Sequence, residues 1–281
     1  MKVSFWGTRG SLATPGKTTL RYGGNTSCDQ VTGDEGTVLV LDAGTGIREL
    51  SLALPQNLRR VDVVLSHLHM DHIQGLGFFA PLYHPDMEVH IWGPASTTMD
   101  LRTRLTRYLS PPLFPVHLRD LPCKLHIHDD ACMDVEIREF RVSSILVAHP
   151  GPTVGVRIEG PHGSLAYMPD HEPVLGALKL LPDRDWVSGM AVARNVDMLI
   201  HDSQYTDTEY LSRIGWGHSS MRQALEFARI AEVGHLIPFH YDPRHSDDDL
   251  DHLFGEILSE VSPAFPVSPA KEGADLIVQK R

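Results

Sequence analysis

The segment His67-Leu68-His69-Met70-Asp71-His72 packs four metal-ligating side chains into six residues, directly after the apolar run Val61 to Leu65. With the chain's own His and Asp frequencies, the pattern His-x-His-x-Asp-His arises by chance in roughly one shuffled sequence in 200, which sets it above most short motifs. On an extended backbone His67 and His69, two apart, point to the same side and can grip one ion. Asp71 and His72 are adjacent, and a turn aims them at a neighbouring position. One loop can thus serve two divalent ions, and imidazole with carboxylate donors suits Zn²⁺ or Mn²⁺. Three later residues close apolar runs of their own: His149 after Val147-Ala148, Asp170 after Met168-Pro169, and His240 after Pro238-Phe239. They would complete the set, with a third imidazole for the first ion, a third ligand for the second and a carboxylate able to bridge both.

Such ligands need a rigid scaffold. Short β-branched or aliphatic runs predict strands over 38–41, 61–65, 89–92, 135–142, 154–158, 165–168, 198–200, 236–239 and 276–278. Two helices are clear. One starts at about Ser219 and carries Met221, Ala224, Leu225, Ala228 and Ala231 on one face. The other is capped by Ser246, with Asp247, Asp248 and Asp249 in its first turn, where acids favour the helix dipole. Several strands end in ligand-type residues, at 65–67, 147–149, 168–170, 200–202 and 238–240, and strand ends are where sheet proteins place their chemistry. The Pro-rich stretch Ser110 to Pro115 is too short to separate domains, so residues 1–281 read as one α/β domain.

Composition narrows the function classes. With 42% apolar and 22% charged residues, the 281-residue chain is neither disordered nor collagen-like. Its 25 Lys plus Arg against 36 Asp plus Glu leave a formal charge of −11, which disfavours wrapping a polyanion with a broad basic surface. Seventeen histidines require an explanation, since imidazole is both the proton carrier near pH 7 and the commonest metal ligand. Three cysteines, Cys28, Cys123 and Cys132, are too few for a disulfide framework. The N-terminus enters a strand-like run at once, and no 18-residue apolar stretch occurs, so the expectation is a cytoplasmic protein without a membrane partner.

In this order the ligand residues resemble those of the metallo-β-lactamase-fold hydrolases, and the resemblance runs from Ser4-Phe5-Trp6-Gly7 to the C-terminal strand. It implies the αββα sandwich, two mixed sheets face to face with helices outside. It further implies that His67, His69 and His149 hold one metal and Asp71, His72 and His240 the other, with Asp170 bridging. The fold hosts many reactions, so it does not settle which. The stretches Leu199 to Tyr205, Gly217-His218-Ser219-Ser220 and Leu236 to Tyr241 are similar to the ribonuclease Z and small-molecule phosphodiesterase branch. In that branch an extra histidine precedes the helix leading to the last ligand, and His218 occupies that place. The family's His-Glu-Ala-Thr segment falls on His201-Asp202-Ser203-Gln204, with Asp202 in the acidic position.

The chemistry this implies is phosphodiester hydrolysis. Paired ions make hydroxide available near pH 7 and stabilise both attacking and leaving oxygens. His218, poised by Asp202, would protonate the leaving alkoxide, and Asp71 would orient the attacking water. Relatives that process tRNA carry a basic, glycine-rich arm after the bridging aspartate. Here 171–196 offers Lys179, Arg184 and Arg194 against Glu172, Asp183 and Asp185, which sets tRNA aside as a partner. The expected substrate is a small anionic phosphodiester such as a cyclic nucleotide. The segments Gly7 to Ser11 and Tyr22 to Ser27 resemble bacterial members of the branch, making Arg9, Asn25 and Thr26 candidates for contacting phosphate or base, with plain loop geometry as the alternative. Arg102, Arg104 and Arg107 read as a solvated helix face, and His171 and His201 have no assigned role. Surface positions or helix ends account for His84, His90, His117, His126, His128, His162, His235, His245 and His252. Relatives of the branch commonly form homodimers. The rival readings are ribonuclease Z-like RNA processing, a lactonase or thioesterase, mononuclear iron redox chemistry, and a non-catalytic regulatory protein stabilised by metal.

Overall fold

The structure is a computed structural model that describes residues 1–130, 132–176 and 186–281. Thirteen strands are found among these residues: β1 (Lys2–Gly7), β2 (Cys28–Thr32), β3 (Val38–Leu41), β4 (Arg60–Val64), β5 (Glu88–Gly93), β6 (Lys124–Asp129), β7 (Asp134–Ile137), β8 (Phe140–Leu146), β9 (Val154–Gly160), β10 (Gly163–Met168), β11 (Met198–Asp202), β12 (Leu236–Phe239) and β13 (Asp275–Ile277). They form two mixed sheets, ordered β13-β1-β2-β3-β4-β5-β6 and β12-β11-β10-β9-β8-β7. The helices are α1 (Ile47–Ala53), α2 (Met70–Ile73), α3 (Leu101–Tyr108), α4 (Met190–Ala193), α5 (Asp207–Leu211), α6 (Met221–Ile230) and α7 (Asp247–Val261). This is the αββα arrangement that the resemblance implies.

Alternation along the strands builds the layers. Leu39 and Leu41 point between the sheets, where they meet Phe5, Val156, Tyr167 and Phe239, while Val38 and Val40 face the outer layer with Ile47, Leu101 and Leu105. On the second sheet, Ala166, Met168 and Leu199 pack beneath α4 and α6 through Val192, Phe227 and Ala228. Both late helices form with N-caps: Ser246 accepts from the Asp249 N–H, and Ser220, not Ser219, accepts from the Gln223 N–H.

The strand expected over 135–142 is instead a hairpin. Its chain reverses at Arg138, which adopts a left-handed φ of 57°, and β7 then pairs antiparallel with β8. Strand β6 was not among the expected ones, because its two apolar residues, Leu125 and Ile127, alternate with His126 and His128. No described helix is long and apolar enough to cross a membrane.

Register aligns the strand ends. In the parallel trio β10-β11-β12, Met168 lies beside His201, His201 beside Pro238 and Asp202 beside Phe239, so the residues that follow leave the sheet at one edge. The parallel strands β3 and β4 end there too, where the Val154 N–H donates to the Ser66 carbonyl at 2.9 Å and ties the sheets together. Crevices outside the carboxyl ends of parallel strands are natural ligand sites.

Candidate metal centre

The His67–His72 loop leaves β4 extended as far as His69 and then closes into the single turn of α2, which holds Asp71 and His72. Around it the structure gathers two groups of ligand-type atoms: His67, His69, His149 and Asp170 in one, Asp71, His72 and His240 in the other. Asp170 spans them. Its Oδ2 lies 3.6 Å from Nε2 of both His67 and His149, and its Oδ1 lies 3.0 Å from His72 Nε2 and 3.2 Å from His240 Nε2. Asp71 Oδ2 sits 3.3 Å from His72 Nε2 and 3.2 Å from His240 Nε2.

Tethers on the far ring nitrogens aim the imidazoles inward. His72 Nδ1–H donates to Asp42 Oδ2 at 2.7 Å, and His149 Nδ1–H donates to the Gly217 carbonyl at 2.8 Å. Ser66 Oγ gives its proton to Asp42 at 2.8 Å and so accepts from His67 Nδ1–H at 3.1 Å. Each tether leaves Nε2 with an open lone pair, the arrangement by which outer partners orient ligating histidines. Glycine is required at two approaches: a Cβ on Gly217, whose φ is +85°, would lie 2.3 Å from His149 Nδ1, and one on Gly10 would lie 2.4 Å from the His240 ring.

The donor set fits divalent cations. His67 Nε2 and Asp170 Oδ1 are buried without a hydrogen-bond partner, and the Nε2 atoms of His72 and His240 face each other at 3.2 Å, where at most one proton fits between them. Buried orphans of this kind carry a desolvation cost that a cation would offset. Burial pushes His67 and His149 below the ordinary imidazole value, toward the neutral ligating form. Burial also opposes charge on Asp170, but His240, His72 and His67 outweigh it and hold that carboxyl well below its usual range.

His218 lies beside the cluster with its ring stacked on His240 at 5.1 Å, and its Nδ1–H donates to Asp202 Oδ2 at 2.7 Å. Burial works against its charge, but Asp202, with help from Asp170 and Asp71, pushes its pKa up to about 9. Asp202 is fully buried and also accepts from the N–H groups of Gln204 and Ser219.

The side chains of Arg9, Asn25 and Thr26, the candidates for contacting phosphate or base, are engaged within the protein. The Arg9 side chain is completely buried, donating to the carbonyls of Gly23 at 2.8 Å and His245 at 2.6 Å and pairing with Asp247 at 3.4 Å. A buried guanidinium must direct its donors to protein acceptors, and this one presents no exposed surface to a ligand. Asn25 accepts from the Thr45 hydroxyl and donates to Glu272, and Thr26 accepts from the Thr45 N–H. The expected helix face is also partly enclosed, since Arg104 donates to Asp129 at 3.3 Å and to the Pro94 carbonyl. Of the histidines expected at surface positions or helix ends, His90 is buried within β5, and His245 is buried at a helix end, directly before the Ser246 cap of α7. Lys179, Asp183, Arg184 and Asp185 lie outside the described residues.

Sequence reasoning missed several supports. Asp42 accepts from His72, Ser66 and Tyr167, and it closes the run Val38 to Leu41 just as the ligands close theirs, so the same strand-end rule would have found it. Glu172 accepts from the Tyr210 hydroxyl and from the N–H groups of Gly215 and Gly217, fixing the turn that carries His218. His171 Nδ1–H donates to His201 Nε2 at 2.9 Å, and His201 Nδ1–H to the Asp202 carbonyl at 2.7 Å, bracing the strand end under Asp202.

Residues 37–241 match the family described as the β-lactamase superfamily domain. A ribonuclease Z of Brevibacillus brevis is 26% identical, the alignment covering 86% of this chain and 87% of that protein. The fold is similar to that of the metallo-β-lactamase fold protein YhfI from Bacillus subtilis, with a TM-score of 0.70 at 20% identity over 98% of this chain and 99% of that one. It is also similar to a diphosphatase of the PhnP family, with a TM-score of 0.66 at 17% identity over 98% and 96% of the two chains. With its sandwich, its His/Asp cluster at the strand ends and this match, the chain belongs to the β-lactamase superfamily, among the metal-dependent hydrolases of the metallo-β-lactamase fold.

Proposed function

We propose that the protein is a dinuclear phosphodiesterase acting on a small phosphodiester, with a cyclic nucleotide as the favoured substrate. His67, His69 and His149 would hold one divalent ion, Asp71, His72 and His240 the other, and Asp170 both, with Zn²⁺ first and Mn²⁺ second by donor type. Such a pair of ions supplies a nucleophile from water at neutral pH and offsets phosphate charge. The observation that carries the reading is the 2.7 Å pairing of His218 with Asp202 against His240. That histidine stands ready to give a proton to a leaving alkoxide, a step that thioester hydrolysis, with its thiolate leaving group, does not need. Asp202 fixes its tautomer, and Asp71, whose Oδ2 accepts the Ser11 N–H at 2.6 Å, orients the attacking water.

A groove of about 340 Å³ beside the ligand loop, lined by Leu68, Met70, Arg107, Tyr108 and Leu113, offers an apolar wall with a cation at its rim. We further infer a cytoplasmic homodimer, each chain a single domain.

The name of the Brevibacillus brevis relative favours a second reading, ribonuclease Z-like cleavage of RNA. Zinc- or manganese-loaded protein assayed on bis(p-nitrophenyl) phosphate, a cyclic nucleotide panel, a lactone panel and a precursor tRNA separates the readings. The expectation is turnover of cyclic nucleotides with little on tRNA or lactones. His218→Ala should lose about 10²- to 10⁴-fold on an alkoxide-releasing substrate and far less on p-nitrophenolate esters, whose leaving group needs no proton. Preferred cleavage of precursor tRNA, or an equal loss on both ester types, overturns the proposal.

A further inference from the structure

A second set of metal-type donors lies on the edge of the first sheet, apart from the seven residues above. Val89, Ile91, Leu125 and Ile127 face the helices, so Glu88, His90 and Trp92 of β5 and His126 and His128 of β6 share the opposite face. Parallel register places His90 beside His126 and Trp92 beside His128. Glu88 Oε1 lies 2.8 Å from His90 Nε2 and 3.8 Å from His126 Nε2, and one donor atom from each of the three residues falls within 4.8 Å of the others.

The orienting partners are already built. His90 Nε2 hydrogen-bonds Glu88 Oε1 at 2.8 Å, and His90 Nδ1 lies 2.9 Å from His128 Nε2; an ion replacing the proton between His90 and Glu88 would leave Nδ1–H to donate to His128 and hold the ring with Nε2 toward Glu88 and His126. His128 in turn stacks on Trp92 at 3.6 Å, and Trp92 donates its indole N–H to Asp62 at 3.0 Å. Arg60 grips Asp62 through two 2.9 Å hydrogen bonds, which keeps that cation engaged beside the cluster. His90 is buried at 8% exposure, whereas the side chains of Glu88 and His126 are 41% and 48% exposed. The inner ligand is therefore rigid, and the outer two have room to close around an ion with water filling the remaining positions.

We propose that Glu88, His90 and His126 form a separate zinc site that clamps the edge strand β6 onto β5. Two imidazoles and a carboxylate are a borderline donor set suited to Zn²⁺. A cross-strand ligand is useful here, because among the described strands β6 has a neighbour on one side only and an unpaired edge is a liability. Zinc bound only by the folded form also raises stability by mass action.

Equilibrium dialysis of the full chain against Zn²⁺, with metal read by elemental analysis, should show one zinc fewer in Glu88→Gln/His126→Gln than in the wild type. Phosphodiester hydrolysis should be the same in both. The zinc-dependent rise in Tm should be smaller in the double variant, and His126→Ala alone should lose the same single zinc. The comparison is a difference between two proteins that share the dinuclear cluster, so it reads independently of the hydrolytic activity. Equal zinc content in wild type and double variant overturns the proposal, as does an unchanged zinc-dependent rise in Tm.

Discussion

At the scale of single residues, the site is organised by what stands behind the ligands. Asp42 is fully buried, sits at a left-handed φ of 58°, and takes hydrogen bonds from the His72 ring, the Ser66 N–H and hydroxyl, and the Tyr167 hydroxyl. It sets the His72 tautomer directly and the His67 ring through Ser66. Asp42→Asn replaces one acceptor oxygen by a donor NH₂ among these donors, so zinc affinity should fall about 10- to 100-fold. A chelator-competition titration checks this, and an affinity equal to wild type refutes the positioning role. The seven ligand-type residues were legible because their types and strand-end positions are local features. Asp42 obeyed the same rule, but it acts by holding His72, Ser66 and Tyr167, partners that only the folded chain brings to it.

At the scale of elements, one carboxylate holds the turn that presents His218. Glu172, buried just after Asp170, accepts from the Gly215 and Gly217 N–H groups and from the Tyr210 hydroxyl of α5. The Gly217 carbonyl receives His149 on the other side, so this turn serves both the ligand cluster and the histidine beside it. Glu172→Gln leaves a buried donor facing donors and should cost about 1–3 kcal/mol of stability. It should also lower kcat on an alkoxide-releasing phosphodiester while zinc content stays at the wild-type level. Urea unfolding, steady-state kinetics and elemental analysis together test it, and an unchanged kcat with lowered stability would leave Glu172 a purely structural residue. Helices α6 and α7 were readable from period and caps, since each is defined within its own segment. The β7-β8 hairpin was not, because Arg138 at a positive φ carries no Gly or Asn signal. Strand β6 was missed because its alternating histidines read as polar surface until β5 was placed beside it.

At the scale of the whole molecule, partly buried carboxylates tie distant segments together and make stability depend on pH. Asp197 accepts from the Ser164 N–H and hydroxyl at 2.8 Å each and from the Arg281 N–H at 3.0 Å, joining β10, the start of β11 and the C-terminus. Burial would raise its pKa, but the Ser164 hydroxyl and the Arg281 N–H outweigh that and hold it below the ordinary value. Glu209 is likewise lowered: burial is outweighed by the Thr206 N–H and His245. A carboxyl whose folded pKa is depressed contributes stability that is present above its unfolded value of about 4 and is lost as pH falls through the folded one. The urea midpoint should therefore drop below about pH 4, and Asp197→Asn should destabilise the protein more at pH 7 than at pH 3. Equal destabilisation at both values would remove Asp197 from the acid response.

The sequence by itself determined the ligand loop, the strand ends that carry the later ligands, the Ser246 cap and the apolar periodicity of the two late helices, because each depends on neighbours a few residues away. Tertiary structure decided which ring nitrogen of His67, His72 and His149 faces inward, since that follows from Asp42, Ser66 and Gly217 across the fold. It turned Arg9 from an apparent anion contact into a buried strut, since exposure is not a local property. It also assembled Glu88, His90 and His126 from two strands that the chain separates by thirty residues, where only parallel register brings the donors within reach of one another.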